Sequence, residues 1–149
     1  MQWSGKVAKR LSGNVAVTCM LLVLAAPGAC HHTTDASLAG PPYPTEKAQA
    51  TTLDIQVVRT ETAIRLTNTT ARSYGKSRLW LNQWYSREIP GLAVGQTVEL
   101  DQNSFRDQYG ESFRAGGFFA TRKPQIVELV QLETEDGMLG LVAVGKPSE

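Results

Sequence analysis

Residues able to do chemistry fall into three groups in this chain: Trp80, Asn82, Trp84 and Tyr85; Asp101, Asn103, Asp107 and Glu111; and Cys30 behind an apolar run. If residues 77–85 form one regular strand, Trp80, Asn82 and Trp84 share one face while Leu79, Leu81 and Tyr85 share the other. Turned to solvent, such an aromatic and amide row stacks on a sugar ring and hydrogen-bonds its hydroxyls. Turned inward it is core, because aromatic rings dominate packing by area. Trp80, Trp84 and Tyr85 are therefore the candidate ligand-binding residues, with inter-sheet packing as the other reading.

The acidic group invites a calcium reading, since hard cations take oxygen ligands from closely spaced carboxylates and amides. The EF-hand spacing fails, however: Phe105 and Arg106 stand where a ligand and the turn glycine belong, and position twelve is Ser112. Asp107 and Glu111 are also the nearest carboxylate pair for a glycoside hydrolase, but a small β-domain offers little depth for a cleft. The two histidines, His31 and His32, are adjacent and precede the folded part, so no Ser/His/Asp, Cys/His or three-ligand zinc arrangement is available to it. The expectation is a protein that is not an enzyme, with no catalytic residues, no metal and no cofactor.

With 15 basic and 14 acidic residues the chain is nearly neutral, and Lys6, Lys9 and Arg10 all sit at its start. Their removal with an N-terminal segment takes the formal charge from +1 to −2. No basic stripe of the kind that neutralises phosphates remains, which argues against nucleic acid as the partner. Behind those cations, Val15 to Ala26 form a twelve-residue apolar stretch, then Pro27-Gly28-Ala29 lead to Cys30. A membrane span needs about 20 apolar residues. The shorter run with a basic start and small residues at its end reads as a secretory signal over residues 1–29.

Gly28-Ala29-Cys30 resembles the end of a bacterial lipoprotein signal, the lipobox, although Pro27 stands where an aliphatic residue is usual. The resemblance implies cleavage before Cys30 and lipid attachment to its thiol. Ordinary signal-peptidase cleavage is the alternative and leaves a free thiol. Cys19 falls in the signal, so the processed chain keeps one cysteine with no internal partner, and lipidation accounts for it. In family terms His31, in place of Asp after the cysteine, implies sorting to the outer membrane in a cell that has one. A bacterial source also makes the Asn68-Thr69-Thr70 glycosylation match a chance one.

Residues 30–51, with Pro41, Pro42 and Pro44, read as a flexible, extended linker. From 52 to 146 apolar residues alternate with polar ones, as in half-buried strands: 53–57, 64–67, 77–85, 96–100, 117–121, 126–133 and 138–144, with 87–92 a short eighth. Turn signals such as Pro90-Gly91 and Asp136-Gly137 separate them, and no helical stripe interrupts them. The expected fold is all-β, an antiparallel β-sandwich of about seven strands. In size and rhythm it resembles immunoglobulin-like and fibronectin-III-like domains, and runs such as IRLTNTTARSYGKSRLWLN resemble small uncharacterised bacterial lipoproteins. The resemblance brings no activity with it. The expectation is a lipid-anchored, extracytoplasmic accessory module that binds an envelope protein or cell-wall glycan. A sheet edge, or the loops near Trp84 and Tyr109, would be its partner surface.

Overall fold

The computed structural model describes residues 35–144; the signal, Cys30, His31 and His32, and positions 145 and 146 lie outside the described residues. The fold is all-β, with strands β1 (Gln49–Arg59), β2 (Ala63–Thr67), β3 (Ser77–Leu81), β4 (Tyr85–Ile89), β5 (Thr97–Asp101), β6 (Val130–Thr134) and β7 (Gly137–Val144). Two single 3-10 turns, Ala36–Leu38 and Gln102–Ser104, are the helical segments among the described residues. None of these is long and apolar enough to cross a membrane.

All seven strands lie in one sheet, in the order β4-β3-β6-β7-β1-β2-β5. Neighbours are antiparallel except β1 and β7, which run parallel. The expectation was two stacked antiparallel sheets; the strand order is that of one mixed sheet curled into a half-barrel. Period-two alternation tells which face of a strand is buried and is the same for either direction, so a parallel pair leaves no trace in it. Nor does this pair need a crossover helix, because the whole of β2 to β6 serves as the connection.

The curl has two visible causes. Register shifts in β1, between Gln49 and Thr51 and between Leu53 and Gln56, bend the central strand. The 3-10 turn after β5 then carries the chain across to the other edge, where Arg106 and Ser86 of β4 exchange backbone hydrogen bonds of 2.8 and 3.0 Å. This contact covers part of an edge that would otherwise present unpaired groups. Ile55, Val57, Ile64, Leu66, Leu79, Leu81, Val130 and Leu132 are buried, with Phe105 and Phe113 from the loops packed into the same core.

Two expected strands take another form. The run 77–85 is not one strand but a hairpin, turning at Asn82 and Gln83 with φ of 53° and 57°, closed by Trp84 N donating to Leu81 O at 3.1 Å. Both residues sit in the left-handed region that costs an ordinary side chain roughly 1–2 kcal/mol. Tertiary bonds hold Asn82 there: its Oδ1 accepts from Glu128 N and Leu129 N at 2.9 and 3.1 Å, and its Nδ2 donates to Ile126 O at 2.7 Å. The run 117–121 is a loop, entered through Gly116 and Gly117 at φ of 100° and 110°.

Residues assigned by sequence to the linker lie against the sheet from residue 40 onward. Gly40 N donates to Asp107 O at 2.7 Å, and Tyr43 packs edge-on against Trp80 with ring centroids 5.1 Å apart. Tyr43 OH donates to Gln131 Oε1 at 2.9 Å, and Gln131 Nε2 to Gln49 Oε1 at 2.8 Å. Both faces of β3 and β6 are thereby covered, which explains their nearly continuous burial.

Candidate functional site

The hairpin separates the three aromatic candidates. Trp80 on β3 is only 1% exposed; its indole donates to Glu133 Oε2 at 2.8 Å beneath Tyr43. Burial pushes the Glu133 carboxyl up, but hydrogen bonds from Lys47 and Trp80 outweigh it, with the charges of Lys47 and Arg78 adding to them, and hold the group below its usual value. Tyr85 at the start of β4 is buried edge-on against Phe113 at 5.3 Å, and its hydroxyl accepts from Gln125 Nε2 at 2.8 Å. Both are core residues with their polar ends satisfied.

Trp84, the last residue of the turn, is 47% exposed, and Tyr109, 59% exposed, lies beside it with ring centroids 6.3 Å apart and planes inclined at 45°. Trp84 also lines a groove of about 290 Å³ together with Pro42, Tyr43, Thr45, Gln83 and Gln108. Gln83 Nε2 donates to Tyr43 OH at 3.2 Å, so Tyr43, buried against Trp80 on one side, presents its hydroxyl to both Gln131 and Gln83. The face offered to solvent combines flat rings and a proline with amide and hydroxyl groups. Such a surface takes a ligand with an apolar face and a ring of hydroxyl or carbonyl groups.

Asp107 braces this site from below its surface. It is 2% exposed; Oδ1 accepts from Tyr109 N at 2.9 Å and Glu111 N at 2.8 Å, and Oδ2 accepts from the Trp84 indole at 3.2 Å. One buried carboxylate thus folds the 107–111 loop, carries Tyr109 and orients Trp84. Glu111, by contrast, is exposed and engages Asp107 through its backbone. The two do not form a facing acid and base pair across a cleft, as a glycoside hydrolase requires.

The rest of the acidic group is likewise committed to local structure. Asp101 Oδ1 accepts from Asn103 N at 2.9 Å and Asn103 Nδ2 at 3.1 Å, capping the 3-10 turn that leads to Phe105. Among the described residues no group of three or more His, Cys, Asp or Glu is placed to hold a metal ion. Asn68 is fully buried, with Nδ2 donating to Arg72 O at 2.7 Å and Leu92 O at 3.1 Å, so its amide nitrogen is closed to glycan attachment in the folded chain.

Tyr43, Gln83 and Gln108 are site residues that the sequence did not single out. Tyr43 was hidden by its proline-rich surroundings, and the hairpin that exposes Gln83 has neither Gly nor Asp at its turn. Compared with known proteins, the chain matches no family model, no curated protein and no solved structure.

Proposed function

We propose that this chain is a non-catalytic binding module, lipid-anchored through Cys30 on the extracytoplasmic face of a bacterial membrane, whose ligand is a cell-wall glycan. The curled sheet serves as a sandwich-like scaffold, its two halves facing each other across one core, and the loops at one end carry the site. The observation that supports this most directly is the exposed Trp84 and Tyr109 pair, with Trp84 lining a groove beside Gln83 and Gln108. Stacking on the rings and hydrogen bonding to the amides match the apolar faces and hydroxyl rims of pyranose rings. The nearby Asp107 carboxylate is engaged in holding its loop, which favours binding over hydrolysis.

Intrinsic fluorescence tests the site. In the processed chain Trp84→Phe separates the emission of Trp84 from that of Trp80, and the difference between the two chains is expected to be quenched by acrylamide and to shift saturably as wall glycan fragments are added. Trp84→Ala is expected to weaken glycan affinity about tenfold or more. A difference emission indifferent to every glycan fragment, with the indole still open to acrylamide, would overturn the glycan reading. The anchor is tested separately by intact mass: a chain from Cys30 to Glu149 carrying a diacylglyceryl group is expected in the membrane fraction, and an unmodified soluble chain refutes it.

A further inference from the structure

The loop between Arg114 and Gln125 is built to hold its tip away from the domain. At its base, Arg59 donates from Nη1 to Gln125 O at 2.6 Å and from Nη2 to Ala115 O at 3.0 Å. Gln125 N donates to Arg114 O at 2.9 Å, and Arg114 N returns a bond to Gln125 Oε1 at 2.8 Å. Gly116 packs against Pro124 where a Cβ would come within 2.7 Å of the proline ring. At the tip, Ala120 N donates to Gly117 O at 2.9 Å, closing a turn with Phe118 and Phe119 at its two central positions. They are 91% and 89% exposed, and their rings meet edge to face with centroids 5.0 Å apart.

Two fully exposed phenylalanines on a braced turn need an explanation, since soluble surfaces rarely project paired aromatics. The surroundings point to one. Phe119 lines a cleft of about 440 Å³ whose walls include Arg106, Arg114 and Arg122, with Glu111 as the one carboxylate among its lining residues. None of these arginines, nor Lys123 beside them, forms an ion pair among the described residues, whereas Arg65, Arg72 and Arg78 all do. Guanidinium groups beside an apolar tip are complementary to lipid phosphates above acyl chains.

We infer that the Gly117–Ala120 turn is a membrane-docking device: Phe118 and Phe119 enter the boundary of an anionic bilayer while Arg106, Arg114 and Arg122 hold lipid phosphates in the adjoining cleft. This rests on the proposed location at an envelope membrane, but not on lipidation itself. Docking would fix the domain's orientation on the surface, where a flexible anchor alone would let it tumble.

Phe118→Trp places a reporter at the tip and reads insertion there, whatever holds the rest of the chain to the vesicle. In the full chain, the emission added by Phe118→Trp over wild type is expected to shift to the blue on vesicles of phosphatidylcholine with phosphatidylglycerol, and to be quenched by brominated acyl chains. Neutralisation of Arg114 and Arg122 to Gln is expected to weaken that partitioning about fivefold per residue, and Phe119→Ser by about tenfold. An indole at 118 that stays red and open to aqueous acrylamide on vesicle-bound chain overturns the inference. So does a blue shift that appears without vesicles and grows with protein concentration, which would make the turn a contact between copies. Failure of lipidation shows in the intact mass and leaves this readout untouched.

Discussion

Replacing Asp107 discriminates between a residue that builds a site and one that reacts in it. Asp107→Ala removes the acceptor for two loop amides, those of Tyr109 and Glu111, and for the Trp84 indole. The backbone bonds end on a buried carboxylate and are worth about 1–1.5 kcal/mol each, while the indole, half exposed and able to turn to water, adds about 0.5 kcal/mol. The expected loss is about 3 kcal/mol, a large part of the 5–15 kcal/mol typical of such a domain, and corresponds to a fall in Tm of about 10–15 °C. Asp107→Asn keeps an oxygen for both amides and turns its NH₂ toward the indole, so it is expected to cost only about 1 kcal/mol while releasing Trp84. Exposed Glu111→Gln should lie within about 0.5 kcal/mol of wild type. Urea unfolding followed by circular dichroism measures all three, with a common m-value as the check on two-state behaviour. Asp107→Ala within about 0.5 kcal/mol of wild type would refute the loop-building role.

Three further outcomes follow from the geometry. Asn82→Ala loses three bonds to the 126–129 segment while keeping a Cβ in the left-handed region, and should destabilise by about 3 kcal/mol in urea; Asn82→Gly, relieved of that strain, should cost about 1–2 kcal/mol less. The Glu133 carboxyl is held below its usual value in the folded chain, so its contribution is present above the ordinary carboxylate pKa and is lost as pH falls through the folded one; Glu133→Gln should flatten the fall in Tm on the acid side. Lys47 is raised by the same contact, so its contribution is present at neutral pH and is lost only as pH rises through its folded pKa. Burial lowers the Arg59 pKa, and removal of this guanidinium by Arg59→Ala should speed amide hydrogen exchange across residues 114–125 while leaving β6 and β7 protected.

Much of the architecture was legible because burial imposes a period of two. Ile55 and Val57, and Ile64 and Leu66, fall on one face of their strands as the alternation required. Other features were illegible for reasons that can be named. The turn at Asn82 and Gln83 lacks the Asn-Gly or Asp-Gly signal, because its strain is offset by bonds to a segment more than forty residues away. That distant contact broke the expected row of Trp80, Asn82 and Trp84. The aromatic pair that did form, Trp84 with Tyr109, joins loops about 25 positions apart through Asp107. Phe118 and Phe119 read as strand because aromatic residues favour strands, yet glycines at positive φ before them end any ladder.

By itself the sequence determined the all-β class, the approximate strand positions and the absence of a histidine beyond His32, since these depend on local pattern and composition. Only the tertiary structure decided strand direction and order, the burial of Trp80 and Tyr85, the engagement of Asp101 and Asp107 in loop bonds, and the exposure of Trp84, Tyr109, Phe118 and Phe119. The reason is physical: alternation records whether a residue faces a core, but which surface covers it, and which polar groups find partners there, depends on contacts between segments that the local pattern does not encode.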